Sequence, residues 1–147
     1  MFTVSRIKTL PEDIQELSAP AISEGLQFVA RLVEEFRSGS NTFSGPGEAL
    51  FEVRVLGKLI AIGGLNVDPY TSNRGVGRVR RTYVHPEHRS RGVGMALVEA
   101  IERHARGKFD LLRLRTDSEA ASRFYVRAGF SAVSGVPEAS HVKRLRA

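Results

Sequence analysis

Between Tyr83 and Met95 the chain reads Tyr83-Val84-His85-Pro86-Glu87-His88-Arg89-Ser90-Arg91-Gly92-Val93-Gly94-Met95, so a strand-forming run meets a proline and then two glycines. Directly after them Val93, Leu97, Ile101 and Ala105 fall one turn apart, which predicts a helix starting at about Gly92. A helix start leaves backbone N–H groups without acceptors and carries the positive end of the helix dipole. A strand that feeds such a start through a glycine turn is a cradle for an anion. Gly92 and Gly94 remove side chains that would keep a diphosphate from the backbone, and Arg89 and Arg91 add positive charge at the rim. Two other phosphate motifs fail. There is no G-x-x-x-x-G-K-[ST] loop, and a dinucleotide fingerprint would need glycine where Leu97 stands.

The remaining segments supply a frame for this turn. Residues 3–9 alternate, Val4, Arg6 and Lys8 against Ser5, Ile7 and Thr9, and predict a first strand. From Ile14 to Phe36 the positions Leu26, Val29, Ala30, Leu32, Val33 and Phe36 keep helical spacing, with an interruption at Ala19 and Pro20 that predicts two helices. Residues 38–47 form a loop by composition, and Gly57 with Lys58 predicts a hairpin turn between strands over 50–56 and 59–67. A further strand covers 78–84. Gly107 stops the glycine-led helix, 111–116 is a strand, and Asp117 or Ser118 caps a helix over 119–128 that Gly129 ends. Strands over 130–133 and 141–145 complete a mixed α/β pattern without internal repeats.

A length of 147 residues with 41% hydrophobic and 26% charged side chains fits one domain with an ordinary core. Zero cysteines exclude a disulfide framework, a Cys-ligated zinc site and a thiol nucleophile, and the four histidines lie too far apart for a short metal motif. No metal is expected, and a reducing cytoplasm is the expected location. The first twenty residues carry Glu12, Asp13 and Glu16 and no leader-like apolar run, and nowhere do eighteen apolar residues follow one another, so neither export nor a membrane span is expected. The net charge of +6 is uneven: residues 1–73 hold 6 basic and 9 acidic side chains, and residues 74–147 hold 16 and 7. That excess predicts an anionic partner for the second half, a nucleic acid or a phosphorylated small ligand. Only three Tyr, no Trp and no nucleic-acid motif weigh against the former.

At these residues the chain resembles the GNAT superfamily of acyl-CoA-dependent N-acyltransferases. The family signature R/Q-x-x-G-x-G/A is matched by Arg89-x-x-Gly92-x-Gly94 after Val84-His85-Pro86, and the second family block by Ala121 followed by Tyr125-Val126-Arg127-Ala128-Gly129-Phe130. Ser118 stands where the family often has asparagine. The resemblance follows the element order over nearly the whole chain and is tight from Arg78 to Phe130. It implies one GNAT-like domain over 1–147: an α/β fold with a mostly antiparallel central sheet of about seven strands and helices on both faces.

The resemblance further implies acetyl-CoA as acyl donor, with its diphosphate on the glycine turn and its pantetheine arm beside the strand ending at Val84. Cofactor-binding candidates are then Tyr83, Val84, Arg89, Ser90, Arg91, Gly92, Val93, Gly94, Met95, Ser118 and Ala121. The implied reaction is direct attack of a primary amine on the thioester, with Tyr125 as general acid. A phenol of ordinary pKa about 10 can donate to a thiolate whose thiol has pKa about 8.5. Glu24, Asp68 and His141 are the candidate bases, with a water relay as their substitute. Arg80, Asn66 and Tyr70 are candidates for the acceptor pocket, while His85 and His88 are expected to be solvated. The implied partners are acetyl-CoA and an amine-bearing acceptor, a homodimer is allowed for, and membrane and nucleic acid are not expected. Two other readings compete: a non-enzymatic basic nucleic-acid module, and the same fold sensing acyl-CoA without turning it over.

Overall fold

Strands β1 (Thr3–Ile7), β2 (Ala49–Val55), β3 (Lys58–Val67), β4 (Val76–Val84), β5 (Leu111–Leu114), β6 (Ser131–Ala132) and β7 (His141–Arg144) form one sheet in the order β1-β2-β3-β4-β5-β7-β6. The structure is a computed structural model and describes residues 1–146. Every neighbouring pair is antiparallel except β4 and β5. Helices α1 (Gln15–Ser23) and α2 (Phe28–Ser38) cover one face, and α3 (Val93–Ala105) and α4 (Glu119–Arg127) the other. Leu59 to Asn66 of β3 is buried without a break, as expected of a strand covered on both faces. Leu17, Ala21 and Leu32 pack on Leu50, Ile62 and Tyr83, while Leu97, Ile101 and Tyr125 pack with Val53, Leu65 and Val79.

The expected break at Ala19 and Pro20 is displaced. Pro20 lies inside α1, and the helix ends instead at Gly25, whose φ of 79° is left-handed. There Leu26 N–H reaches Ala21 C=O at 2.9 Å and Gly25 N–H reaches Ile22 C=O at 2.9 Å, which satisfies the last carbonyls in a Schellman motif. The strand expected over 78–84 begins earlier, at Val76, and the last two strands are shorter than expected.

The feature that positions the site is a splay between β4 and β5. Their parallel pairing covers only Val76–Arg78 against Leu111–Arg113. Beyond it β4 runs on to Val84 paired with β3 alone, leaving its other edge without a strand. The register between β3 and β4 skips between Ile62 and Gly64, where Arg81 has φ 60°. Such a bulge bends and twists the strand that carries it, and here it directs β4 away from β5.

Candidate active site

The open edge of β4 has a defined polarity. His85 N–H donates to Ile60 C=O at 2.8 Å, and Tyr83 stands opposite Ile62 two residues back, so the backbone groups of Tyr83 face β3. Val84, opposite Ala61, therefore turns its N–H and C=O toward the gap. The C=O accepts a hydrogen bond from Arg89 Nε at 3.1 Å. Of the two cofactor-binding candidates on this strand, Tyr83 and Val84, Val84 is the one whose main chain faces the gap.

The strand ends in a 3-10 turn, Pro86–His88, which His85 caps by accepting from Glu87 N–H through Nδ1 at 3.1 Å. Two left-handed residues follow, Ser90 at φ 64° and Gly92 at 81°, and Gly92 opens α3. The first bond of that helix runs from Ala96 N–H to Gly92 C=O, so the N–H groups of Val93, Gly94 and Met95 stand ahead of the ladder. A Cβ at Gly92 would meet nothing within 4 Å: the space over the turn is open. At Gly94 a Cβ would sit 3.3 Å from the Phe124 ring, so this glycine also lets α3 approach α4. The Val93 side chain is buried, so a ligand at the turn would meet this residue through its main chain. Arg91 and Ser90 are exposed at the rim.

Arg89 is not a free rim charge. Its guanidinium forms a bidentate pair with Glu24, at 2.8 and 2.7 Å, and lies over the Tyr83 ring at 5.4 Å from the centroid. The Tyr83 hydroxyl donates to the same carboxylate. The bonds from Arg89 and Tyr83 hold the Glu24 carboxyl below its usual range, and burial together with Glu24 pushes the Tyr83 phenol up. One candidate base is thus tied to two cofactor-binding candidates across 59 and 65 residues of sequence.

Across the gap, Ser118 caps α4 by accepting from Ala121 N–H at 3.2 Å, and Ala121 is half-buried. Tyr125 is buried between Phe124 and Phe130, both edge-on, at 5.1 and 5.5 Å between ring centres. Burial raises its phenol pKa, and the neighbouring Thr82 hydroxyl offsets part of that. Thr82 Oγ1 itself is buried without a well-formed hydrogen bond. His141 is also buried, with Nε2 2.9 Å from Ser122 Oγ and Nδ1 2.8 Å from Ser140 Oγ. Asp68 sits between Arg78 and Arg113, each at 3.4 Å, and accepts from Tyr70 N–H at 2.7 Å. It joins β3, β4 and β5 at the root of the splay.

A family model described as "Acetyltransferase (GNAT) domain" matches residues 46–132. The chain belongs to the GNAT acetyltransferase family. A structure from Exiguobacterium sp. 255-15, a candidate acetyltransferase, is 34% identical with a TM-score of 0.85, over 98% of this chain and 93% of that one. A GNAT-family acetyltransferase from Staphylococcus aureus Mu50 shares the fold at 13% identity and a TM-score of 0.74, over 98% and 100% of the two chains. So does a candidate acyl-CoA N-acyltransferase from Klebsiella pneumoniae, at 21% and 0.66, with 99% of each chain covered. No curated protein matches.

In this GNAT chain a cleft of about 480 Å³ opens on the α2 side of the sheet, lined by residues that include Glu35, Asn41, Glu48, Asn66 and Arg80. Two acceptor-pocket candidates, Asn66 and Arg80, line it, while the third, Tyr70, stacks on Arg78 at 4.7 Å. His85 and His88 are half-buried rather than solvated and meet edge-on at 5.8 Å. No local signal marks Glu35, which reaches Arg81 from α2 at 2.9 Å. Among the described residues no helix is long and apolar enough to cross a membrane, and no cluster of His, Asp or Glu fits a metal ion.

Proposed function

We propose that this GNAT chain moves an acetyl group from acetyl-CoA to a primary amine by direct attack within a ternary complex. The observation that carries the reading is continuity: the unpaired edge of β4 runs into a glycine turn whose N–H groups are free and whose approach is open. An extended amide-bearing arm adds to such an edge as another strand would, and a diphosphate suits the start of α3. Val84 N–H would anchor the arm, and the N–H groups of Val93, Gly94 and Met95 would take the diphosphate, with Ser90 and Arg91 at its rim. Tyr83 and Arg89 shape the wall through Glu24. Ser118 and Ala121 shape the opposite wall through the start of α4.

Acetyl-CoA supplies the thioester. In the transfer an N–C bond forms, the C–S bond breaks, and the Tyr125 hydroxyl gives its proton to the departing sulfur. The Tyr125 hydroxyl holds its proton at neutral pH, as any phenol does, although burial raises its pKa and makes it a weaker donor than a solvated phenol. Glu24, Asp68 and His141 all hold hydrogen-bond partners already, so we assign the proton lost by the amine to solvent.

The test is a thermal melt with and without acetyl-CoA. Ligand at 100 times its Kd adds about 2.7 kcal/mol, and a clear rise in Tm is expected. An unchanged Tm with saturating acetyl-CoA, beside a rise with duplex DNA, would favour the nucleic-acid reading. Binding without thiol release across a panel of amines would favour a sensor.

A further inference from the structure

The cleft on the α2 side has an uneven electrostatic economy. Its two carboxylates are occupied. Glu48 accepts from Gly45 N–H through Oε1 and from Val67 N–H through Oε2, both at 2.9 Å, and thereby staples the loop before β2 to the end of β3. Glu35 takes one nitrogen of Arg81 on both oxygens, at 2.9 and 3.1 Å. The amides of Asn41 and Asn66 satisfy each other reciprocally, at 2.9 and 3.0 Å.

Arg80 is different. Among the described residues it has no hydrogen-bond or ion-pair partner, although it is half-buried in the cleft wall. Burial, Arg81 and Arg78 disfavour its charge, and Glu35 offsets this only in part, being already bonded to Arg81. A guanidinium stays ionised under these conditions, so the cleft wall holds a half-buried cation with no ion-pair or hydrogen-bond partner of its own. Its fork of donors matches a carboxylate or a phosphate, and it precedes by one residue the bulge at Arg81 that opens the gap.

We infer that Arg80 is an acceptor-binding residue and that the amine acceptor is a compact molecule carrying an anionic group, a carboxylate or a phosphate, which Arg80 pairs while the amine enters the gap. This rests on the acyltransferase reading above, because it takes the cleft as the acceptor's side of the site. The carboxylate of an amino acid and the phosphate of an amino sugar are equally matched by the guanidinium, and the experiment separates them.

Calorimetric binding is measured on the CoA-saturated protein with matched pairs: an amino acid against its carboxamide, and an amino sugar phosphate against the free amino sugar. One pair is expected to show at least about tenfold tighter binding of its anionic member, and that pair names the anion. Arg80→Gln should remove the preference, Arg80→Lys should restore part of it, and CoA affinity should stay at the parent level in both. Equal binding within both pairs overturns the inference, as does a preference that survives in Arg80→Gln. A loss of CoA affinity in that variant would place Arg80 on the cofactor side and overturn it as well. If the parent does not bind CoA at all, the acyltransferase reading fails by itself, and the same pairs on the unliganded protein still decide whether Arg80 selects an anion.

Discussion

The two walls of the site are made of different material. On the α3 side the presented groups are main-chain N–H and C=O at Val84 and at the start of α3, set by a strand end, two left-handed residues and a glycine. On the α1–α2 side the presented groups are side chains, and nearly all are consumed by one another: Arg89 by Glu24, Arg81 by Glu35, Glu48 by two backbone amides. A backbone surface binds what its geometry dictates and tolerates little change of ligand. A side-chain surface can be rewritten one residue at a time. The two walls should therefore respond differently to substitution.

The largest effect is expected on the backbone wall. Gly92→Val places a branched side chain in the open space over the turn and forces a left-handed conformation on a β-branched residue. Losing two charge-assisted contacts to the diphosphate, at about 1.5–3 kcal/mol each, should lower CoA affinity by on the order of a hundredfold or more in calorimetry. Affinity like the parent's would mean that the anion does not meet the backbone there.

Next comes Tyr125→Phe, which keeps the ring between Phe124 and Phe130 and removes only the hydroxyl. CoA affinity and Tm should hardly change, while kcat should fall at least about tenfold, general acid catalysis being worth 10²–10⁴ before solvent substitutes for it. The gap should narrow above about pH 8.5, where the thiol leaves as thiolate unaided. Because burial raises the Tyr125 phenol, ionisation of the parent should not contribute to that narrowing until above about pH 10. Equal turnover at neutral pH, with chemistry shown to limit the rate, would make Tyr125 a packing residue.

The smallest effect belongs to the side-chain wall. Glu24 and Arg89 are partly exposed, 32% and 42%, so Glu24→Gln should lower stability by no more than about 1 kcal/mol. The folded carboxyl lies below its ordinary range, so this contribution is present above about pH 4.3 and is lost as the pH falls through the lower folded value. Melting curves of parent and variant should therefore differ at pH 7 and converge in acid. A difference that grows in acid would contradict the ion pair.

The same division explains what was legible in the sequence. Val84 to Met95 could be read because strand, proline, glycine and helix period are local signals, and a cap at Asp117 or Ser118, which the structure places at Ser118, for the same reason. Glu24 with Arg89, Glu35 with Arg81 and the isolation of Arg80 could not, because each depends on which distant side chains the sheet brings together. The displaced break in α1 is an intermediate case. Pro20 is a strong local signal, yet the helix carries it and stops at Gly25, where the left-handed residue can satisfy the terminal carbonyls.

Hydrogen exchange on the protein with and without acetyl-CoA reads out the particular backbone amides that would hold the cofactor. Added acetyl-CoA should slow exchange at Val84 and at Val93, Gly94 and Met95, which have no acceptor of their own at the helix start, and leave α1 and α2 nearly unchanged. Protection confined to residues 15–38, with none between Val84 and Met95, would contradict a cofactor held by the β4 edge and the glycine turn.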